Sequence, residues 1–136
     1  MSLELGLSKT SKVLCWVGSS LLLVMAVFHG SGYIFVKEAI VESNAETFLK
    51  EIVPALFAHP SIHLLGLSAF GILAIFLTEG ARKVLVLLSV LVATDALLAF
   101  YLGGVLPGIL LLTSALCFTI AGLRKREQTS VGQSSL

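Results

Sequence analysis

The stretch VLCWVGSSLLLVMAVFHGSGYIFV, residues 13–36, runs without an aspartate, glutamate, lysine or arginine. An α-helix needs about 20 predominantly apolar residues to cross the hydrocarbon core of a bilayer. This stretch is therefore long enough to span a membrane as one helix. It is also longer than the apolar core of a signal peptide and has no AxA-like cleavage site, so we expect it to be retained.

Three further apolar runs follow at residues 54–78, 84–102 and 105–123, and Asp95 is the only charged residue within them. Charged residues make up 12% of the chain, against about 25% in a typical soluble domain. In lipid the backbone must satisfy its own hydrogen bonds, which favours helices. We therefore predict an all-α fold, a four-helix transmembrane bundle within residues 1–126, followed by a disordered polar tail at residues 127–136.

The basic residues predict the orientation of this bundle. Because consecutive helices alternate in direction, both termini and the connection between the second and third helices share one face. That face holds seven of the nine lysines and arginines: Lys9, Lys12, Arg82, Lys83, Arg124, Lys125 and Arg126. The positive-inside rule places this face, with both termini, on the cytoplasmic-type side of the membrane. The net charge of +1 argues against a nucleic-acid partner, which requires a basic surface.

The long connection between the first two helices, residues 37–60, contains a helix signal of its own. Ser43 and Glu46 have the spacing of a capping box, and the residues that follow are apolar on one face. We therefore expect a short amphipathic helix over residues 44–57, lying at the outer interface between helices 1 and 2. Pro54 and Pro60 are then expected to redirect the chain into helix 2.

Three ionisable side chains fall at similar depth in the outer half of the predicted bundle: His29 in helix 1, His63 in helix 2 and Asp95 in helix 3. An aspartate near the middle of a membrane helix costs about 2.5–3.5 kcal/mol to insert, so we expect Asp95 to face the bundle interior and either to have a partner or to be protonated. Tyr33 is one helical turn from His29, and His59 is one turn from His63. A single such histidine is adequately explained by a hydrogen bond between helices, but with three residues in one layer a functional site becomes as good an explanation as packing.

This layer is compatible with three chemistries. Imidazole and carboxylate groups bind copper, iron or zinc, which predicts His29, His63 and Asp95 as metal ligands. His29 and His63 on facing helices are alternatively able to ligate haem, with Tyr33 as a further cofactor-binding residue. A histidine–aspartate pair is also able to relay protons. The sequence contains no HExxH, CxxCH or P-loop motif that selects among these alternatives.

Three functions stay open at this point. The first is a small integral membrane subunit or accessory protein of a larger membrane complex, redox-active if a metal or haem occupies the layer. The second is a proton-coupled small-molecule transporter that works as a dimer around Asp95. The third is a stand-alone membrane enzyme, although no serine has a GxSxG or SxxK context. The small share of residues outside the apolar runs favours the first, with the lipid bilayer and a larger complex or a homo-oligomer as partners.

Overall fold

The computed structural model describes residues 6–102 and 104–124, and the regular elements in these ranges are all α-helices. They are α1 (Lys9–Ser31), α2 (Tyr33–Glu42), α3 (Thr47–Phe76), α4 (Ala81–Tyr101) and α5 (Val105–Leu123). Four helical stretches are long and apolar enough to cross a membrane, and α1 and α2 together form one of them. The predicted all-α transmembrane bundle is confirmed, and the chain is a multi-pass integral membrane protein.

Large apolar side chains cover the outside of the bundle. Trp16, Leu87 and Leu97 are 50%, 62% and 70% exposed, and they have many neighbours of the same kind. Water-soluble monomers rarely expose large contiguous apolar patches. The medium that covers this surface is therefore the lipid bilayer.

The four spanning helices form a ring in the order α1, α3, α4, α5. Helix α1 lies between α3 and α5, while α4 packs most extensively on α5. The contact between α3 and α4 is the smallest of the four around this ring; we call it the α3–α4 seam. The short helix α2 packs mainly on α3. The ring is therefore most easily opened between α3 and α4.

Small residues and serines pack three of the helices closely. The fully buried ring of Phe118 in α5 lies against Gly18 of α1 and Gly71 of α3, and a side chain at either glycine would press on it. The hydroxyl of Ser114 donates a hydrogen bond to the Gly18 carbonyl at 2.9 Å. Close approach through small residues and interhelical hydrogen bonds is the usual means of holding helices together in lipid.

Ser68 makes the equivalent bond between α3 and α1. Its hydroxyl donates to the carbonyl of Ser19 at 2.8 Å. Cys15, which lies one turn before Ser19, is fully buried, and Cys117 of α5 is half-buried against Gly18. Helices α1, α3 and α5 therefore share one tightly packed region built around Phe118.

Five of the seven described lysines and arginines lie at one end of the bundle, which we call the basic end: Lys9, Lys12, Arg82, Lys83 and Arg124. Gly6 lies against Leu77 and Gly122 lies against Arg82, so the start of α1, the α3–α4 connection and the end of α5 are close together. That this end faces the cytoplasmic-type side stays a prediction from the charges. Lys125, Arg126 and the predicted tail at residues 127–136 lie outside the described residues.

The short amphipathic helix expected over residues 44–57 does not appear as a separate element. Helix α3 begins at Thr47 and continues through Pro54 and Pro60 to Phe76. A proline removes one backbone hydrogen bond, but in a membrane helix packing against neighbouring helices offsets this loss, so the helix continues. The prolines therefore do not mark a boundary between two helices.

The predicted capping box is also wrong. Ser43 ends α2: its hydroxyl donates to the carbonyl of Ile40 and accepts a hydrogen bond from the backbone N–H of Ala45. Glu46 itself is the N-cap of α3 and makes no side-chain capping bond. The serine thus closes the preceding helix and leaves a short turn before the next one.

Helices α2 and α3 reach beyond the other spanning helices. Helix α3 has 30 residues and α5 has 19, which correspond to about 45 Å and about 28 Å at 1.5 Å per residue. The hydrocarbon core of a bilayer is about 30 Å thick. The surplus lies at the end opposite to the basic end, which we call the extended end, and the candidate site lies toward that end.

The helix predicted over residues 13–36 is interrupted at Gly32, where α1 has ended and α2 begins. A Cβ atom at this glycine would lie 3.2 Å from the ring of Phe57 in α3. The absence of a side chain therefore lets the α1–α2 junction approach α3 closely. This junction fixes where His29, at the end of α1, meets α3.

Candidate functional site

A histidine and an aspartate meet across the α3–α4 seam. Nε2 of His63 lies 3.2 Å from Oδ2 of Asp95, and the two side chains are 41% and 26% exposed. This distance suits an ion pair, but Oδ2 is buried and has no hydrogen-bond partner, so the ring N–H is not well directed at it. The pair brings a titratable group from each helix to the place where these two helices contact each other least.

His29 approaches the same region from α1. Its Nδ1 lies 3.2 Å from the hydroxyl oxygen of Ser61 in α3. Its ring stacks on Phe57, one turn before Ser61, with 4.4 Å between the ring centroids and an interplanar angle of 25°. His29 is thus held in position by two residues of one face of α3.

A cavity of about 280 Å³ lies between the four spanning helices near the extended end. Side chains of all four helices contribute to it, and His29, His63 and Asp95 are its ionisable lining residues. The complete lining consists of Met25, His29, Pro60, His63, Leu64, Asp95, Leu98, Ala99, Leu102, Gly104, Pro107 and Leu111. Its volume lies near the lower end of the range for small-molecule sites, about 300–1,000 Å³. The structure therefore places the three predicted site residues on one cavity of ligand-binding size.

Tyr33, the fourth predicted site residue, is not brought to this cavity. It follows the interruption at Gly32 and lines a separate depression on α2 together with Lys37 and Glu38. His59 is exposed, and its ring lies nearly parallel to that of His63, at 9°, with 6.4 Å between the centroids. Of the two neighbours predicted from helical spacing, only His59 stays beside the site.

The three predicted metal ligands are not arranged around one common position for a metal ion. In the described part of the chain, no three histidine, cysteine, aspartate or glutamate side chains are arranged to hold a metal ion. His63 and Asp95 are in contact, while His29 is engaged by Ser61 and Phe57. Copper, iron, zinc and haem as occupants stay predictions from the sequence.

Some residues of the site were not singled out in the sequence. Phe57 and Ser61 hold His29, and their spacing of four residues on one helix was a readable signal that they share a face. Pro107 and Leu111 have the same spacing and bring α5 to the cavity. Pro107 and Leu111 are apolar residues of an apolar helix, so the sequence did not distinguish them from residues outside the site.

Comparison with known protein families, with curated proteins and with solved structures found no match to this chain.

Proposed function

We propose that this chain is a small integral membrane subunit or accessory protein of a larger membrane complex, and that it contributes a binding site for a small, largely apolar molecule. The site is the cavity that His29, His63 and Asp95 line. The observation that carries the proposal is this cavity itself, which all four spanning helices surround and which has a carboxyl group in its wall. Pockets that combine apolar walls with a few polar groups are the usual form of a small-molecule site.

The position of Asp95 supports a role in binding rather than in packing. Inserting an aspartate into a membrane helix costs about 2.5–3.5 kcal/mol. Among the described residues, the buried Oδ2 has no well-formed hydrogen bond, and the half-exposed His63 lies 3.2 Å from it. An aspartate retained only for packing would be expected to have a well-formed hydrogen bond to a neighbouring helix. A ligand in the cavity would supply a polar partner for the carboxyl group of Asp95.

The geometry favours this function over the two alternatives. A transporter built as a dimer around Asp95 requires that residue at the surface between two copies, but here it faces His63 and the cavity of its own bundle. A stand-alone enzyme that uses a nucleophile requires one near the histidine–aspartate pair. The part of the cavity lining that the structure describes contains no serine, threonine or cysteine.

A redox role for the subunit depends on the predicted metal or haem. His63 and Asp95 are already in contact, and His29 would have to leave Ser61 to join them as a third ligand. Metal analysis and an absorption spectrum of the purified protein test this part of the proposal separately from ligand binding. A stoichiometric metal or a Soret band is the expected result for the redox role, and the absence of both from native protein would remove it.

Purification from native membranes tests the binding function. We would extract the small molecules retained by the wild-type protein and by two variants, and compare them by mass spectrometry. Ala99→Phe fills the cavity, whereas Ala39→Phe makes the same change on the exposed face of α2. We expect one molecule to accompany the wild type and Ala39→Phe but not Ala99→Phe.

The same preparation tests the subunit role, because larger membrane proteins are expected to copurify with the chain in stoichiometric amounts. Identical small-molecule content in all three proteins would show that the extract contains only bulk lipid. The cavity would then not be a binding site under these conditions, and the proposal would fail.

A further inference from the structure

We infer that the ligand of this cavity carries a hydrogen-bond donor, a hydroxyl or an ammonium group, on an apolar body of about one ring, and that Asp95 accepts its hydrogen bond. The inference rests on the proposed function, because it names the chemistry of the ligand at the same site. Its basis is the distribution of polar and apolar groups around the cavity.

The carboxyl group of Asp95 has free capacity to accept hydrogen bonds. An ionised carboxylate offers about four lone-pair sites, and in the described part of the protein the polar group near them is His63, whose Nε2 lies 3.2 Å from the buried Oδ2. Oδ2 is covered by His63, while about a quarter of the side chain, 26%, is still exposed at the cavity. An acceptor left unsatisfied in a buried position is costly, and hydrogen bonds to charged groups are among the stronger ones. A donor on the ligand would supply the missing bond.

The two histidines of the cavity are already engaged. Nδ1 of His29 is at hydrogen-bond distance from Ser61, and its ring stacks on Phe57. Nε2 of His63 lies 3.2 Å from Oδ2 of Asp95. The carboxyl is therefore the polar group of the lining that is most available to a ligand. In its ionised form the carboxyl also disfavours an anionic ligand, because two like charges in a site of low polarity repel each other strongly.

The rest of the lining determines the size and polarity of the part of the ligand that carries the donor group. Apart from the polar groups, the described lining is mostly apolar and includes Met25, Leu64, Leu98, Leu102, Pro107 and Leu111. A volume of about 280 Å³ equals the share of roughly nine molecules of liquid water. This space suits a single ring with a short substituent. We expect a ligand to enter the cavity from the lipid through the α3–α4 seam, where the helices contact each other least.

Four probes of equal size and different head groups test the inference: toluene, benzyl alcohol, benzylamine and benzoate. Binding is measured by equilibrium dialysis against the full chain in lipid nanodiscs. Nanodiscs that contain Ala99→Phe measure partition into lipid alone, and the difference from the wild type reports the cavity. Leu98→Trp, which fills the cavity from a half-exposed position, replaces Ala99→Phe if that variant does not fold.

In the wild type we expect benzyl alcohol or benzylamine to bind at least about tenfold more tightly than toluene, the effect of one hydrogen bond to a charged group. Benzoate should bind most weakly. Asp95→Leu should retain toluene and lose the advantage of the alcohol and the amine. Asp95→Asn, which keeps an acceptor oxygen without the charge, should retain the binding of benzyl alcohol but not that of benzylamine. Whichever of these two probes binds the wild type more tightly identifies the head group of the natural ligand.

Two results would overturn the inference, and they differ in what they say about the site. If toluene binds as tightly as the other two neutral or cationic probes, and all three are lost in Ala99→Phe, the cavity binds ligands but Asp95 does not select a donor. If no probe distinguishes the wild type from Ala99→Phe and Leu98→Trp, the cavity does not bind molecules of this size. The proposed function then fails together with the inference.

Discussion

His63 and Asp95 stand 3.2 Å apart, Nε2 to Oδ2, across the α3–α4 seam. The two helices have less contact with each other than any other neighbouring pair of the ring. This polar contact is therefore a larger fraction of the total contact between α3 and α4 than a similar polar contact would be between α4 and α5. Its contribution to stability is expected to be modest, because hydrogen bonds between membrane helices contribute about 0.6 kcal/mol on average.

We expect His63→Ala and Asp95→Ala to be coupled in a double-mutant cycle. The coupling free energy should be up to about 1 kcal/mol, because partly exposed pairs in water and hydrogen bonds in membranes both fall in this range. The measurement is the free energy of unfolding in mixed micelles. His29→Ala with Asp95→Ala is the control pair and should be additive to within about 0.5 kcal/mol. If the coupling free energy between His63 and Asp95 is as small as that of the control pair, the contact is not energetically significant.

The depth of the site residues could be predicted from the sequence, but their direction could not. Counting residues from the ends of the apolar runs put His29, His63 and Asp95 at one level, because helical rise is constant. The rotation of each helix was not readable, since these helices are apolar nearly all round and lack a polar face. Tyr33 illustrates the limit: it follows His29 by one helical turn in the sequence, but it lines another depression, on α2.

Helix boundaries were hardest to predict where the rules for soluble proteins conflict with those for membranes. Pro54 and Pro60 indicated a new helix, yet α3 runs through both. In water a proline inside a helix costs about 3 kcal/mol. In lipid the alternative, a broken backbone with unsatisfied polar groups, is more costly still, so the helix persists.

Labelling should place the two ends of the bundle on opposite sides of the membrane. In a chain with Cys15 and Cys117 replaced by alanine, we expect Asn44→Cys to react with an impermeant thiol reagent from outside intact cells. Ser130→Cys should react only after the membrane is opened, because the positive-inside rule retains the basic end in the cytoplasm. The measurement is reagent incorporation before and after permeabilisation. Labelling of both positions from the same side would contradict the topology.

Ser114→Ala should weaken the packing of α5 on α1. The hydroxyl donates to the Gly18 carbonyl at 2.9 Å in a fully buried position. Hydrogen bonds between membrane helices contribute about 0.6 kcal/mol on average and about 1.7 kcal/mol at most. Ser89→Ala is the matched control, because the Ser89 hydroxyl bonds to Val86 of its own helix. Equal losses in unfolding free energy for the two variants would show that the bond between helices contributes nothing beyond a local one.

Gly71→Ala should destabilise the bundle by about 1–3 kcal/mol, the usual range for overpacking. A Cβ atom at this position of α3 would collide with the hydroxyl of Ser19 and lie 2.9 Å from the ring of Phe118. Both neighbours are buried, so there is little free space for either to move into. Gly66→Ala is the control on the same helix, because a Cβ there meets nothing within 4 Å. Without a clash, alanine stabilises a helix by about 0.5–1 kcal/mol relative to glycine. The two variants should therefore shift the unfolding free energy in opposite directions, and a gain in stability from Gly71→Ala would show that α1, α3 and α5 pack less closely than described.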